Sequence, residues 1–258
     1  MNFGENFAFK KAVESEKYCN TNEYGIATRE GIGKKTILLL GIALLTSLFI
    51  IGIMLKIGYL PLFIYPIAII FTTVVQVIMC FSPRKAKSLA IPYAISEGLT
   101  IGVLCGLLEI VLPDQGLAIA GSALIITLSV FIVGVILYSK GFIRVGKRFY
   151  TFLICVSVGL SISFLFMLII NIVSLFTGGS SFFDLLYSSP FALLIAIVMC
   201  VIASLYLIAS IANADNMIRY GADANLEWYA AYAITLNVIY LFLEVLRLIL
   251  ILFSKNRD

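Results

Sequence analysis

Seven apolar runs divide this chain, at about 36–55, 61–81, 88–112, 117–138, 150–176, 191–212 and 228–253. A bilayer crossing needs about 20 apolar residues, and these runs meet or exceed that length. In lipid every backbone N–H and C=O must find a partner inside the chain, so such runs fold as helices. The expected fold class is all-α: a polytopic membrane protein with seven transmembrane helices. Composition supports this, because a chain that is 62% apolar and 12% charged, with mean hydropathy +1.09, lies outside the soluble globular range.

The breaks between the runs carry turn chemistry. Gly58 to Pro61, Ser82-Pro83-Arg84-Lys85 and Pro113-Asp114-Gln115-Gly116 end the first three, and Gly141 to Arg148 is a basic loop. Thr177 to Pro190 is Gly- and Ser-rich, with Phe182 and Phe183 suited to the lipid interface and Pro190 suited to a first helical turn. Gly221 reads as a helix stop, Asn225 as the N-cap of the last helix, and Trp228 and Tyr229 as its headgroup anchors.

Residues 1–35 mix lysines and glutamates and lack a signal-peptide pattern, so they are expected to be a retained cytoplasmic tail. The transmembrane domain is expected over 36–253 and a short external tail over 254–258. Alternate segments outside the runs hold fourteen Lys and Arg on one side and three on the other, with Arg247 inside the last run. The positive-inside rule then puts the N-terminus in the cytoplasm and the C-terminus outside.

Residue types exclude several functions. There is no histidine, which removes the commonest metal ligand and any Ser-His or Cys-His dyad. The five cysteines, Cys19, Cys80, Cys105, Cys155 and Cys200, are dispersed and read as small apolar side chains. No Gly-rich loop precedes a Lys-Ser or Lys-Thr pair, and no aspartate is expected deep in a span. The chain is therefore read as a non-enzyme without cofactor or resident metal, and nucleic acid is not an expected partner.

The informative residues are the polar ones inside the apolar runs. Glu97 stands near the middle of the third run, where an ionisable group is by default a functional candidate. Gly98, Gly102 and Gly106 recur every four residues beside it and form a bare ridge for close helix packing. Glu109, near Pro113, reads as an acid at an aqueous mouth. Asn237 and Glu244, seven apart, share a face of the last helix, and Arg247 can pair with Glu244 or with Glu97 or snorkel outward. Asn213, Asp215, Asn216 and Arg219 form a polar cluster that is either a solvated helix end or, through Asp215, part of an ion pathway, with Asp215 and Arg219 spaced for an i,i+4 pair. Ser157 and Ser161 read as packing hydroxyls.

Several of these stretches together resemble the Bax inhibitor motif family, in its bacterial branch. They are Tyr93-Ala94-Ile95-Ser96-Glu97-Gly98 with Gly102 and Leu108-Glu109; Gly141-Phe142-Ile143-Arg144-Val145; Asn216-Met217-Ile218-Arg219 with Gly221-Ala222; and Glu227 to Ala231 continuing to Tyr240-Leu241-Phe242-Leu243-Glu244-Val245-Leu246-Arg247. The resemblance spans roughly residues 31 to 253. It implies six helices around a central seventh, a place in the plasma (inner) membrane, and a pH-sensitive calcium leak gated by an aspartate pair on the last two helices. This sequence departs from that pair: its positions fall near Ser210 to Ala212 and at Asn237, with Asp215 at a neighbouring acidic position.

Glu97 and Glu244 are then the expected oxygen ligands for a passing calcium or other cation, and a close pair of them would titrate as a unit. Two alternatives stand beside this. One is a proton-coupled carrier of a small solute with the same carboxylates as coupling groups, and the other a regulatory protein that binds a membrane protease or another membrane complex through the Gly98-Gly102-Gly106 ridge or the N-terminal tail.

Overall fold

The computed structural model describes residues 25–57, 64–139, 145–177 and 192–255, and these are almost wholly helical. Among the described residues seven α-helices follow one another: α1 Arg29–Ile57, α2 Ile64–Phe81, α3 Ala86–Val111, α4 Gly116–Ser139, α5 Lys147–Thr177, α6 Ala192–Arg219 and α7 Glu227–Lys255. Short 3-10 turns, Pro83–Lys85 and Ala224–Leu226, lead into α3 and α7. Phe182, Phe183, Pro190, Arg144 and the tail before Gly25 lie outside the described residues.

Five helices, α1, α3, α4, α6 and α7, are long and apolar enough to cross a membrane. The apolar cores found for the other two, Tyr65–Phe81 and Arg148–Ser163, are shorter. Outward faces are strongly apolar, as at Ile37, Phe49, Ile67 and Ile125, each about two-thirds exposed or more. A solvent of hydrocarbon explains why such faces need no protein cover.

The tightest approach is between α1 and α3. A Cβ added at Gly98 would strike the Ala43 carbonyl oxygen at 2.5 Å, one at Gly102 would meet Ile50 Cβ and the Ser47 oxygen at 2.8 Å, and one at Gly106 would meet Met54 Sδ at 2.6 Å. The facing residues Ala43, Ser47, Ile50 and Met54 are buried at helical spacing on α1. Without a hydrophobic drive between helices in lipid, this close backbone contact is what gains dispersion energy.

Helix α7 packs against α6, α1, α4 and α3, so it occupies the centre that the family resemblance implies. Its Ala230, Ile234, Val238, Leu241 and Val245 meet Ala203, Leu207 and Met217 of α6 and Ile119 and Ala123 of α4 in one core. A second core joins Leu39, Val75, Met79, Tyr93 and Tyr232, where the rings of Tyr93 and Tyr232 meet edge to face at 4.7 Å. By contrast α2 rests on α3 and α5 on α6, at the margin of the bundle.

Three boundaries differ from the sequence expectation. Helix α1 starts at Arg29, inside the segment assigned to the tail, and α7 continues to Lys255. Helix α6 continues through Asp215 to Arg219, so the polar cluster there is helical and not a frayed end. Asp223, not Asn225, does the capping: its side chain accepts from the Asn225 N–H at 3.1 Å, one turn before α7 begins. Gly221 ends α6 as expected, at φ 69°, a conformation that costs glycine least.

The α1–α3 contact can be checked directly. Gly102→Ala should cost about 1–3 kcal/mol through overpacking, read as a lower melting temperature, and Gly102→Leu should abolish a monodisperse species in size-exclusion chromatography. Gly52→Leu on the same helix pair should behave as wild type, since nothing lies within 4 Å of that position.

Candidate functional site

Charged side chains concentrate where α1 begins and the α6–α7 corner turns. Asp215 sits one turn before the end of α6 with its side chain only 7% exposed. Arg29, the first residue of α1, bonds Oδ1, while Arg219 donates from Nε to Oδ2 at 2.9 Å. The Asp215–Arg219 spacing was legible in the sequence. Arg29 was not, because it lies 186 residues away.

A second buried acid, Glu227, opens α7 and was not singled out from the sequence. Lys35 Nζ donates to its Oε2 at 2.6 Å, and the Thr28 N–H and hydroxyl donate to Oε1 at 2.7 and 3.1 Å. Gly31 packs directly on this carboxylate, leaving no room for a Cβ. Lys35 also lies 5.3 Å from the Trp228 ring centroid, so the expected headgroup anchor meets a cation instead. Before α1 the chain runs antiparallel to the corner: the Ala27 N–H donates to the Ala222 carbonyl and the Ala224 N–H to the Gly25 carbonyl, both at 2.8 Å. The segment from Gly25 to Lys35 is thus strapped across the α6–α7 corner by backbone pairing and two ion pairs.

Above Asp215 opens a cavity of about 800 Å³. Arg29, Asp215, Asn216 and Arg219 line one end of it, and the walls are apolar, including Phe131 and Ile132 of α4, Ile211 of α6 and Ile234 of α7.

Glu97 and Glu244 are both buried, at 9% and 8% exposure, but they do not meet. Around Glu97 stand Tyr93, whose hydroxyl faces the carboxyl group, and Tyr232, with Gln76 of α2 facing Tyr93. Around Glu244 stand Tyr240 and Arg247, with Cys200 and Tyr206 of α6 close by. Tyr232 and Glu244 are twelve residues apart on α7, hence about 18 Å along its axis and roughly 120° around it. Each acid therefore belongs to its own cluster. Arg247 pairs with Glu244, 3.8 Å away in the i,i+3 relation, so the Glu97–Arg247 alternative is not formed.

The remaining candidates have local partners. Asn237 donates to the Ala233 carbonyl at 2.9 Å, and Ser210 to that of Leu207 at 2.7 Å. Both stand about ten residues from the α6–α7 corner, at similar depth. Glu109 accepts from the backbone N–H groups of Asp114 and Leu117 at 2.8 and 2.7 Å. It is a cap for the start of α4. The Ser157 hydroxyl contacts Tyr206, and Ser161 bonds its own helix. Among the described residues no three Cys, Asp or Glu side chains converge on a point that could hold a metal ion.

A family model described as Bax inhibitor 1 like matches residues 5–254. The chain belongs to this family. No curated protein and no solved structure matches it. Within this Bax inhibitor 1 like fold, the stretches that carry the resemblance coincide with the buried charges: Tyr93 to Gly98 holds the Glu97 cluster, Asn216 to Arg219 flanks Asp215, Glu227 to Ala231 holds the Lys35 contact, and Tyr240 to Arg247 holds the Glu244 cluster. Glu227 could have been found from that signal, as an acid directly before the Trp228 anchor. Its partner could not.

The Lys35–Glu227 pair gives a measurable prediction. Removing one partner of a buried pair typically costs about 3–5 kcal/mol, whereas replacing both with apolar residues costs far less. Lys35→Met and Glu227→Leu should each lower the melting temperature markedly, and the double variant should recover a large part of the loss.

Proposed function

We propose that this integral membrane protein is a non-enzymatic cation leak of the plasma membrane, with calcium as the suspected ion and the N-terminus cytoplasmic. The cation path follows the α6–α7 seam. Support comes above all from Asp215, a buried acid at the polar end of the 800 Å³ cavity, held by two arginines from different helices. Asn237 lies further along the same helix pair and Glu244 further still, so oxygen-bearing groups recur at successive depths. Oxygen donors of this kind suit a hard cation in transit. The Lys and Arg excess on one side supports the orientation.

In this arrangement the path is closed. Arg29 ties α1 to Asp215, and Arg247 neutralises Glu244 at the other end. The Asp215 carboxylate holds Arg29, so losing either partner would loosen α1 from α6. This chain has Asn237 on the last helix, so the tie at this seam is the Asp215–arginine contact and not an aspartate pair. Glu97 lies off the seam, on another face of α7.

Calcium uptake into proteoliposomes tests the reading. Asp215→Asn and Arg29→Gln should each raise the leak. Glu244→Gln should reduce it, and Glu97→Gln should change it less than Glu244→Gln does. Uptake that saturates with a small organic solute would favour the carrier. Protein that shows no flux in any variant but retains a membrane partner would favour the regulatory interaction role.

A further inference from the structure

The cavity has a chemistry that ion conduction does not use. Its walls are apolar and open sideways: Ile37 on α1 is 72% exposed, and Ile132 and Ile136 on α4 are 56% and 45% exposed. At one end only, two guanidinium groups meet. Arg29 is the first residue of α1 and Arg219 the last of α6, so both stand where the apolar part of the bundle stops. Their side chains are 73% and 69% exposed although both contact Asp215. One carboxylate cannot neutralise two guanidinium groups, so the rim keeps a positive charge. The volume, about 800 Å³, falls in the range of small-ligand pockets, roughly 300–1,000 Å³.

From this geometry we infer that the groove between α1, α4 and α6 binds one anionic phospholipid, its phosphate on Arg29 and Arg219 and an acyl chain along Ile37, Ile132 and Ile136. Charge complementarity selects this occupant: guanidinium groups bind phosphate oxygens through paired N–H donors, and the wall beyond is mostly hydrocarbon, the Thr36 hydroxyl there being bonded to the Ile32 carbonyl of its own helix. A zwitterionic lipid brings its own cation to the same rim and is disfavoured there. A lipid phosphate would also compete with Asp215 for both arginines, which links lipid occupancy to the tie between α1 and α6.

The test uses the full chain purified in detergent, titrated with phosphatidylglycerol or phosphatidylcholine of identical acyl chains and read by native mass spectrometry. Wild type should retain phosphatidylglycerol several-fold more than phosphatidylcholine. Arg219→Gln should remove that preference. Ile136→Trp, which leaves the ion pairs intact, should lower retention of both lipids, and melting temperatures confirm that each variant is folded. Equal retention of the two lipids by wild type, or an unchanged preference in folded Arg219→Gln, overturns the inference. So does displacement of the lipid by millimolar inorganic phosphate, which would make the site one for a free anion. A groove filled by residues 1–24 of the chain itself would retain neither lipid and would likewise overturn it.

Discussion

Everything at the charged end of the bundle depends on how closely α1 lies against α3. Three glycines at four-residue spacing let the Ala43 and Ser47 backbone sit where side chains would otherwise stand. That contact fixes the tilt and depth of α1. Its first two turns then reach across the α6–α7 corner, which brings Arg29 to Asp215 and Lys35 to Glu227. A helix held a few ångströms further out would leave Glu227 buried without its cation and Asp215 with Arg219 alone, and a buried acid stripped of its partner costs several kcal/mol.

Buried ion pairs of this kind are poor stabilisers compared with apolar packing, because desolvation offsets most of their attraction. Their presence here is better understood as specificity. The backbone pairing of Gly25 to Ala27 with Ala222 to Ala224 and the two ion pairs define one register between the chain's beginning and its last hairpin. The same contacts are also separable. Asp215 shares its charge between a local arginine and a distant one, so an anion that competes for either arginine would change how firmly α1 is held. The Arg247–Glu244 pair, in contrast, lies within a single helix.

Helix α7 makes the two remaining acids independent. It is the shared wall of both clusters, with Tyr232 turned toward Glu97 and Tyr240 beside Glu244. Because the helix rotates by about 100° per residue, side chains twelve apart point in different directions and sit about 18 Å apart in height. A joint site for the two acids is therefore ruled out by the helix that carries one of them.

Hydropathy alone gave the seven helices, most ends to within about three residues and the start of α1 and end of α6 to within seven, since a run of apolar side chains in lipid satisfies its backbone as a helix. The glycine ridge, the Asp215–Arg219 pair and the Glu244–Arg247 pair were also legible, because residues three or four apart share a helix face whatever the fold. Arg29 on Asp215, Lys35 on Glu227 and the separation of Glu97 from Glu244 were decided by tertiary structure. These join or part residues far apart in the chain, and their relation depends on helix order, tilt and rotation, which no local pattern encodes.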